Sequence, residues 1–321
     1  MKKSLNQQIA GYTEIALERD VLRKHARDME ITRGETQRAI DILHPKFLDL
    51  EVSEKREETP STVTLRLVPE NGYLPPFQAG QYINIFVEIN GVRTSRPYSI
   101  SSAPNQIGYY DVTVKKMQDG FVSSWLMESL KVGDRLKTTS PAGYFYYNPL
   151  FHGKNLVFIA GGSGITPFMS MIREVTDRNL DRKVHLIYGN RNEKDVIFRD
   201  ELADREARHD QLTVDHVISE PGENYEGLKG FITKELIEKQ VPGYREAMFY
   251  VCGPGAMYTF VLDELAALGI PKRKIRLEIY GPPAKVTDEP GWPDSVKPGD
   301  RFQVTLNGKT ITARADETLM N

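Results

Sequence analysis

Apolar residues are spaced in three different ways along this chain, and each spacing predicts a different kind of element. Up to residue 44 they form a thin stripe, Ile9, Tyr12, Leu17, Val21, Ile40 and Leu43, among many Glu, Arg and Gln. That is helical spacing, interrupted at Gly34 and ended by Pro45. It reads as a helical hairpin packed on the body or as a module that docks a partner. From residue 46 to 149 the apolar and β-branched residues come in short runs, at 63–68, 82–87, 109–115 and 135–139. Pro75-Pro76, Gly80, Asn90-Gly91 and Gly133-Asp134 divide them, which predicts a small antiparallel barrel or sandwich with one helix around 122–130. Near Gly153 the texture changes. Residues 155–160 are almost unbroken apolar sequence, as in a parallel strand covered on both faces. Further strands at 184–188, 212–217, 248–251 and 275–280 alternate with helices at 168–178, 197–208, 233–240 and 255–268, the last closed by Gly269. The alternation predicts a doubly wound parallel sheet, so the fold class is α/β plus all-β with an N-terminal helical extension. The expected segments are 1–44, 45–150, 151–281 and 282–321. In the last, Pro282, Pro283, Pro290, Pro293 and Pro298 read as a linker. A hairpin follows, from Phe302, Val304 and Leu306 through Asn307-Gly308 to Thr310-Ile311-Thr312-Ala313, and Thr318-Leu319-Met320 close the chain.

Candidate chemistry gathers at the strand ends. Gly161-Gly162-Ser163-Gly164-Ile165-Thr166-Pro167 directly follows the apolar run 155–160 and precedes a helix. Glycines let backbone approach phosphate, Thr166 is placed to cap, and Pro167 suits a first helical position. Pro167 stands where the third glycine of the common dinucleotide fingerprint would fall, so the loop reads as a phosphate cradle or as a tight structural turn. The other strand ends, 189–191, Ser219-Glu220 and Cys252-Gly253-Pro254, should converge with it on one crevice.

In the barrel segment, Arg96-Pro97-Tyr98-Ser99-Ile100-Ser101-Ser102 leaves the Asn90-Gly91 turn on a strand. Alternation puts Arg96, Tyr98 and Ile100 on one face and Pro97, Ser99 and Ser101 on the other. A planar electron-accepting ring that carries a pyrophosphate needs an aromatic plate, a fixed cation and a hydroxyl, which Tyr98, Arg96 and Ser99 supply. A half-buried strand with a serine-rich turn would use the same residues. Gly120-Phe121-Val122-Ser123 starts a helix whose free N–H groups suit a pyrophosphate, and Ser123 also reads as a plain N-cap.

Composition narrows the class. The chain has 321 residues, more than one typical domain, and a net charge of −2 with 27% charged residues, so nothing marks a nucleic-acid or anionic-membrane partner. No apolar run approaches the roughly 18 residues of a membrane span. The basic start Met1-Lys2-Lys3 leads into Gln7, Gln8, Glu14, Glu18 and Arg19 rather than a secretory apolar core. A soluble, cytoplasmic protein is expected. Cys252 is the lone cysteine, which excludes an internal disulfide and a multi-cysteine metal centre within these residues.

In their order and separation, Arg96-Pro97-Tyr98-Ser99, Gly162-Ser163-Gly164-Ile165-Thr166-Pro167 and Cys252-Gly253-Pro254 resemble the ferredoxin-NADP reductase superfamily, over residues 46–281. The resemblance implies an FAD-binding barrel followed by a nicotinamide-nucleotide domain. Arg96 would pair with the flavin pyrophosphate, Pro97 belongs to the same motif, Tyr98 would stack on the isoalloxazine ring, and Ser99 would hydrogen-bond near its N5. Val114 and Lys115 join the implied flavin-binding set. Gly120, Val122 and Ser123 match a second flavin-phosphate element, and residues 141–145 a flavin-proximal loop. Gly162, Gly164, Thr166 and Pro167 would hold the nucleotide diphosphate, with Cys252, Gly253 and Pro254 beside the nicotinamide. Cys252 also reads as a small buried strand-end residue. Glu278 matches a family acid near the flavin. The implied catalytic set is Tyr98, Ser99, Cys252 and Glu278, with no metal, and the cofactor carries the chemistry by taking hydride from NADH at N5 and releasing electrons singly. NADP-selective members commonly place an Arg after the serine at the position of Ser219. Here Glu220 follows, whose carboxylate repels a 2′-phosphate and favours NADH, while Arg191 nearby argues for NADPH.

About the last 20 residues resemble the opening of a plant-type two-iron ferredoxin domain, as found fused behind such reductases. The cluster cysteines come later in that family, so a 2Fe-2S cluster is expected only if the natural chain continues. The expected function is an FAD-dependent NAD(P)H reductase that passes single electrons to an iron-sulfur domain, an oxygenase or another redox partner. A free-standing diaphorase or flavin reductase, and a non-catalytic flavoprotein sensor or adaptor acting through residues 1–44, stand as alternatives. Some relatives use FMN with a different domain order.

Overall fold

In the computed structural model, which describes residues 12–25, 34–70, 72–279, 286–288, 292–306 and 309–316, the barrel segment forms six antiparallel strands. They are β1 (Phe47–Thr59), β2 (Thr62–Pro69), β3 (Tyr82–Ile89), β4 (Val92–Ser99), β5 (Tyr110–Lys115) and β6 (Arg135–Thr139), in the order β4-β3-β6-β1-β2-β5. Inward residues alternate along them, as in Ile83, Ile85, Val87 and Ile89 of β3, and each is buried. Burying such a side chain contributes roughly 1.5–3 kcal/mol. The two edge strands meet at a bridge between Ile100 and Val112. Ser101 and Ser102 complete that closure. Ser101 N–H donates to Asp111 O at 2.7 Å, and Ser102 Oγ accepts from Asp111 N–H at 3.0 Å.

Strand β1 runs through the polar stretch 53–59, where the sequence predicts none, because distant partners use its charges. Lys55 Nζ donates to Met127 O at 2.6 Å and Leu130 O at 2.8 Å, at the end of helix α3 (Phe121–Glu128); burial lowers the Lys55 pKa. Arg56 joins Arg66 on the buried carboxylate of Asp111. Gly120 precedes α3, so Ser123 is not its N-cap; Ser123 Oγ instead accepts from Met117 N–H at 3.1 Å.

The second sheet is parallel: β7 (Asn155–Gly161), β8 (Lys183–Asn190), β9 (Leu212–Ile218), β10 (Leu228–Lys229), β11 (Met248–Cys252) and β12 (Ile275–Glu278), in the order β10-β9-β8-β7-β11-β12. Helices cover both faces, which is why β7 is apolar from Leu156 onward. Leu156, Phe158 and Ala160 pack with α4 (Ile165–Asp177) and α5 (Arg199–Arg208), whereas Val157 and Ile159 pack with α6 (Lys234–Gln240) and α7 (Gly255–Ala267). Two expectations shift here. A single 3-10 turn over Gly162–Gly164 precedes α4, so the helix starts at Ile165, with Thr166 and Pro167 inside it. Thr166 Oγ1 donates to Ser163 O at 3.0 Å rather than capping N–H groups.

Residues up to His44 form a separate unit with α1 (Tyr12–His25) and α2 (Glu35–Leu43), the latter entered through Gly34 at φ 111°. Near the C-terminus, β13 (Arg301–Leu306) pairs with β14 (Lys309–Arg314). Ile9, Tyr280, Pro282, Pro283, Pro290, the Asn307-Gly308 turn and Thr318-Leu319-Met320 lie outside the described residues. Among the described residues no helix is long and apolar enough to cross a membrane.

Candidate functional site

The nucleotide sheet reverses its order between β7 and β11. The chain steps outward from β7 through β8 and β9, then returns to place β11 on the other side. Such a switch point leaves a crevice at the carboxyl ends of the two strands, where ligands bind. Those ends here are the glycine turn 162–164 and Cys252-Gly253-Pro254, and they touch. A Cβ on Gly164 would lie 2.2 Å from Cys252 O and 2.7 Å from Gly253 N, so only glycine allows this approach. Met257 covers Gly161 and Gly253 from α7. The Tyr258 hydroxyl accepts from Gly253 N–H at 3.1 Å and donates to Glu278 O, which ties the end of β12 to the same place. No side chain caps the first turn of α4, but Ile165 N–H already donates to Gly162 O and Pro167 has no N–H, so the glycine turn itself is the backbone that can approach a phosphate.

Cys252 itself is fully buried in the core on the α4 side, in register with Ala160 and Glu278. The Glu278 side chain is half-buried, and burial pushes its carboxyl up to about 7. At the ends of β8 and β9, Arg191 Nε donates to Glu220 Oε2 at 2.8 Å, and both side chains are largely exposed. Ser219 N–H donates to Asn190 O at 3.0 Å beside them.

On the barrel, Arg96, Pro97 and Tyr98 line edge strand β4. Arg96 Nη1 is oriented by Thr94 Oγ1 and Ser95 O, each at 2.8 Å. Tyr98 packs against the barrel core, and burial pushes its phenol up to about 12, so it stays neutral. Ser99 is buried opposite Tyr82. A cleft of about 520 Å³ lies between the β3–β4 hairpin and the start of α3, lined by Asn90, Gly120, Phe121, Ser124 and Trp125 among others. Neither Arg96 nor Tyr98 lines that cleft; they stand further along β4. A Cβ on Gly120 would fall 2.2 Å from Ser123 Oγ, and no side chain caps α3, nor does its first turn carry an acid. Free N–H groups at the start of α3 and, further along β4, a held guanidinium and a half-buried aromatic ring are the kinds of group that suit a flavin with its pyrophosphate. Val122 and Val114 are in the barrel core. Lys115 pairs with Asp195 instead of standing free.

Sequence reasoning missed what joins the two sheets. Arg173 Nη1 of α4 donates to Ser101 O at 2.7 Å, and Ser170 Oγ to Ser102 O at 2.6 Å. Asp195 accepts from Thr59 and Ser61 of the barrel as well as Lys115. Burial works against its charge, but those donors prevail and hold its carboxyl below the usual range. No local pattern marks these residues, since each partner is distant in sequence.

An oxidoreductase FAD-binding domain matches residues 49–147, and an oxidoreductase NAD-binding domain matches residues 158–263. The glycine betaine monooxygenase reductase subunit of Pseudomonas aeruginosa is 31% identical over 277 residues, covering 82% of this chain and 75% of that protein. NADH-cytochrome b5 reductase 1 of Lodderomyces elongisporus is 36% identical over 198 residues, 61% of this chain and 65% of that protein, so the chain spans just under two thirds of that relative. Among solved structures, the FAD/NAD-binding domain of nitric oxide dioxygenase from Vibrio cholerae O1 biovar El Tor superposes with a TM-score of 0.67 at 28% identity, over 74% of this chain and all of that one. With these matches on the two sheets and the glycine turn at their switch point, the chain belongs to the ferredoxin-NADP reductase superfamily of FAD- and NAD-binding oxidoreductases.

Proposed function

We propose that this protein takes reducing equivalents from NADH through FAD and passes single electrons to a protein acceptor, an iron-sulfur domain or an oxygenase component. One observation carries the reading. The serines that follow Arg96-Pro97-Tyr98-Ser99 are held by Arg173 and Ser170 of the helix that the glycine turn begins. The flavin strand and the nucleotide loop are therefore fixed to one another, as a transfer between two bound cofactors requires. When bound, FAD supplies the chemistry, accepting electrons in pairs and releasing them singly.

The residues orient and exclude water. Arg96 and the start of α3, where Gly120 permits a close turn, would hold the phosphates of the flavin nucleotide. Tyr98 would offer a neutral ring for stacking on the flavin, and Ser99 would offer a hydroxyl for hydrogen bonding to it. The turn 162–164, braced by Thr166 on Ser163 O, would hold the nucleotide diphosphate, and the backbone of Cys252-Gly253-Pro254 would form the wall beside the nicotinamide. Glu278, with a pKa near neutrality, holds or releases a proton at its carboxyl within the working range. Arg191 is already paired with Glu220, so a 2′-phosphate would have to displace a carboxylate, and this supports NADH over NADPH.

For the acceptor, support comes from the monooxygenase reductase relative and from the ferredoxin-like reading of the β13–β14 hairpin. A 2Fe-2S cluster in a longer natural chain belongs to this proposal. A cytoplasmic location, where nicotinamide nucleotides are available as reductant, is part of this proposal. Steady-state assay with a one-electron acceptor such as cytochrome c tests it. NADH should support turnover and NADPH should be at least about tenfold poorer in kcat/KM; no NADH-dependent turnover by FAD-loaded protein would refute it.

A further inference from the structure

At the opposite end of the nucleotide sheet from the switch point, a second cleft of about 310 Å³ opens beside Met248 and Ile275, the first residues of β11 and β12. That volume is at the lower end of small-molecule sites. Its walls are aromatic, with Tyr144 and Phe151 on the solvent side, and three cations face it: Lys272, Arg273 and Arg276. No carboxylate lines it, although the whole chain carries a net charge of −2. Lys274 next door is answered by Glu246, but among the described residues Lys272, Arg273 and Arg276 have no acidic partner.

The inner wall is built. His152 is 9% exposed, and its Nδ1 accepts from Asn148 N–H at 3.0 Å and from the Tyr250 hydroxyl. A backbone N–H can only donate, so the ring proton is on Nε2, which leaves a neutral donor at the cleft. Burial, and then Arg276, lower the His152 pKa and keep the ring in that state. Arg276 is positioned too: Nη2 donates to Tyr144 O at 2.9 Å, leaving most of its fork available.

We infer that this cleft binds a small aromatic anion, a flat apolar body lying between Tyr144 and Phe151 with one carboxylate or phosphate held by Arg276, Lys272 and Arg273. The ring recognises the body by stacking and cation–π contact, and the charge-assisted bonds recognise the anion. The site is distinct from the nucleotide crevice, whose walls are the last residues of the same strands.

Isothermal titration of FAD-loaded protein saturated with NAD+ tests this with benzoate and phenyl phosphate, using acetate and benzyl alcohol as controls that keep only the charge or only the ring. At least one aromatic anion should saturate with a Kd below about 1 mM, and both controls should bind at least about tenfold more weakly. Arg276→Gln should weaken the aromatic anion by about tenfold or more. Arg273→Gln, which disturbs no internal bond, should weaken it several-fold and serves if the first variant misfolds. The inference is overturned if neither aromatic anion binds by about 10 mM, if acetate binds as well as benzoate, or if the folded variants bind like the parent. Which aromatic anion binds more tightly separates a carboxylate from a phosphate ligand.

Discussion

Glu278 ends edge strand β12, its backbone carbonyl held by Tyr258 and its carboxyl pushed up to about 7 by burial. Folded, it keeps a proton that the unfolded chain releases at its ordinary value of 4.5. Its stabilising contribution is therefore complete below about pH 4.5 and is lost as the pH rises through about 7. Glu278→Gln keeps the neutral shape, so parent and variant should melt alike near pH 4.5. Above pH 7 the variant should be the more stable by up to about 2 kcal/mol, discounted for partial exposure. Equal differences at both pH values would contradict a raised carboxyl. The Arg191–Glu220 pair bears on nucleotide choice. Glu220→Arg removes the repelling carboxylate and frees the neighbouring guanidinium, so the ratio of kcat/KM for NADPH over NADH should rise by about 10-fold to 100-fold. An unchanged ratio would place nucleotide choice elsewhere.

Elements make sharper demands, because backbone cannot rotate out of the way. In Gly164→Ala the new Cβ, fixed to the turn, would meet the backbone Cys252 O at 2.2 Å, so the turn must shift from β11. KM for NADH should rise by about tenfold or more, with a stability loss of about 2–3 kcal/mol. Gly162, at φ 52° with open space around it, should tolerate alanine at about 1–2 kcal/mol. Equal effects of the two substitutions, read by thermal melting and NADH kinetics, would mean the contact with Cys252 does not matter. The glycine turn and β7 were legible in the sequence because local rules write them: an apolar run, glycines, then a helix. The start of α4 was misplaced by three residues because the 3-10 turn winds Thr166 and Pro167 into the helix. Strand β1 was not legible: the runs picked out in the sequence begin at residue 63, after it ends. Its Lys55 and Arg56 serve α3 and Asp111, partners that hydrophobic spacing along one strand does not reveal.

For the whole molecule, the barrel and nucleotide sheets are joined by Ala79 and Phe145, which are buried with Phe168, Met171 and Tyr250, and by a few polar bonds that no motif announces. Asp195 collects Thr59, Ser61 and Lys115, while Arg173 and Ser170 hold the serines that close the barrel. Asp195→Asn keeps the shape and leaves a partly buried ammonium without its counter-charge. A stability loss of about 1–3 kcal/mol is expected at neutral pH. Because the folded Asp195 pKa lies below its ordinary 3.8, the loss should shrink as the pH falls through and below that value. A loss that stays constant down to low pH would argue against the ion pair.

The central claim is that this frame delivers NADH to a flavin held on Tyr98 and Ser99, and anaerobic stopped-flow mixing of FAD-loaded protein with NADH tests it most directly. The account predicts rapid bleaching of the visible flavin band. The bleaching should slow by about tenfold or more in Ser99→Ala, with little change in the NADH concentration at half-maximal rate. A flavin band that NADH leaves intact, or bleaching at the parental rate in Ser99→Ala, would contradict it.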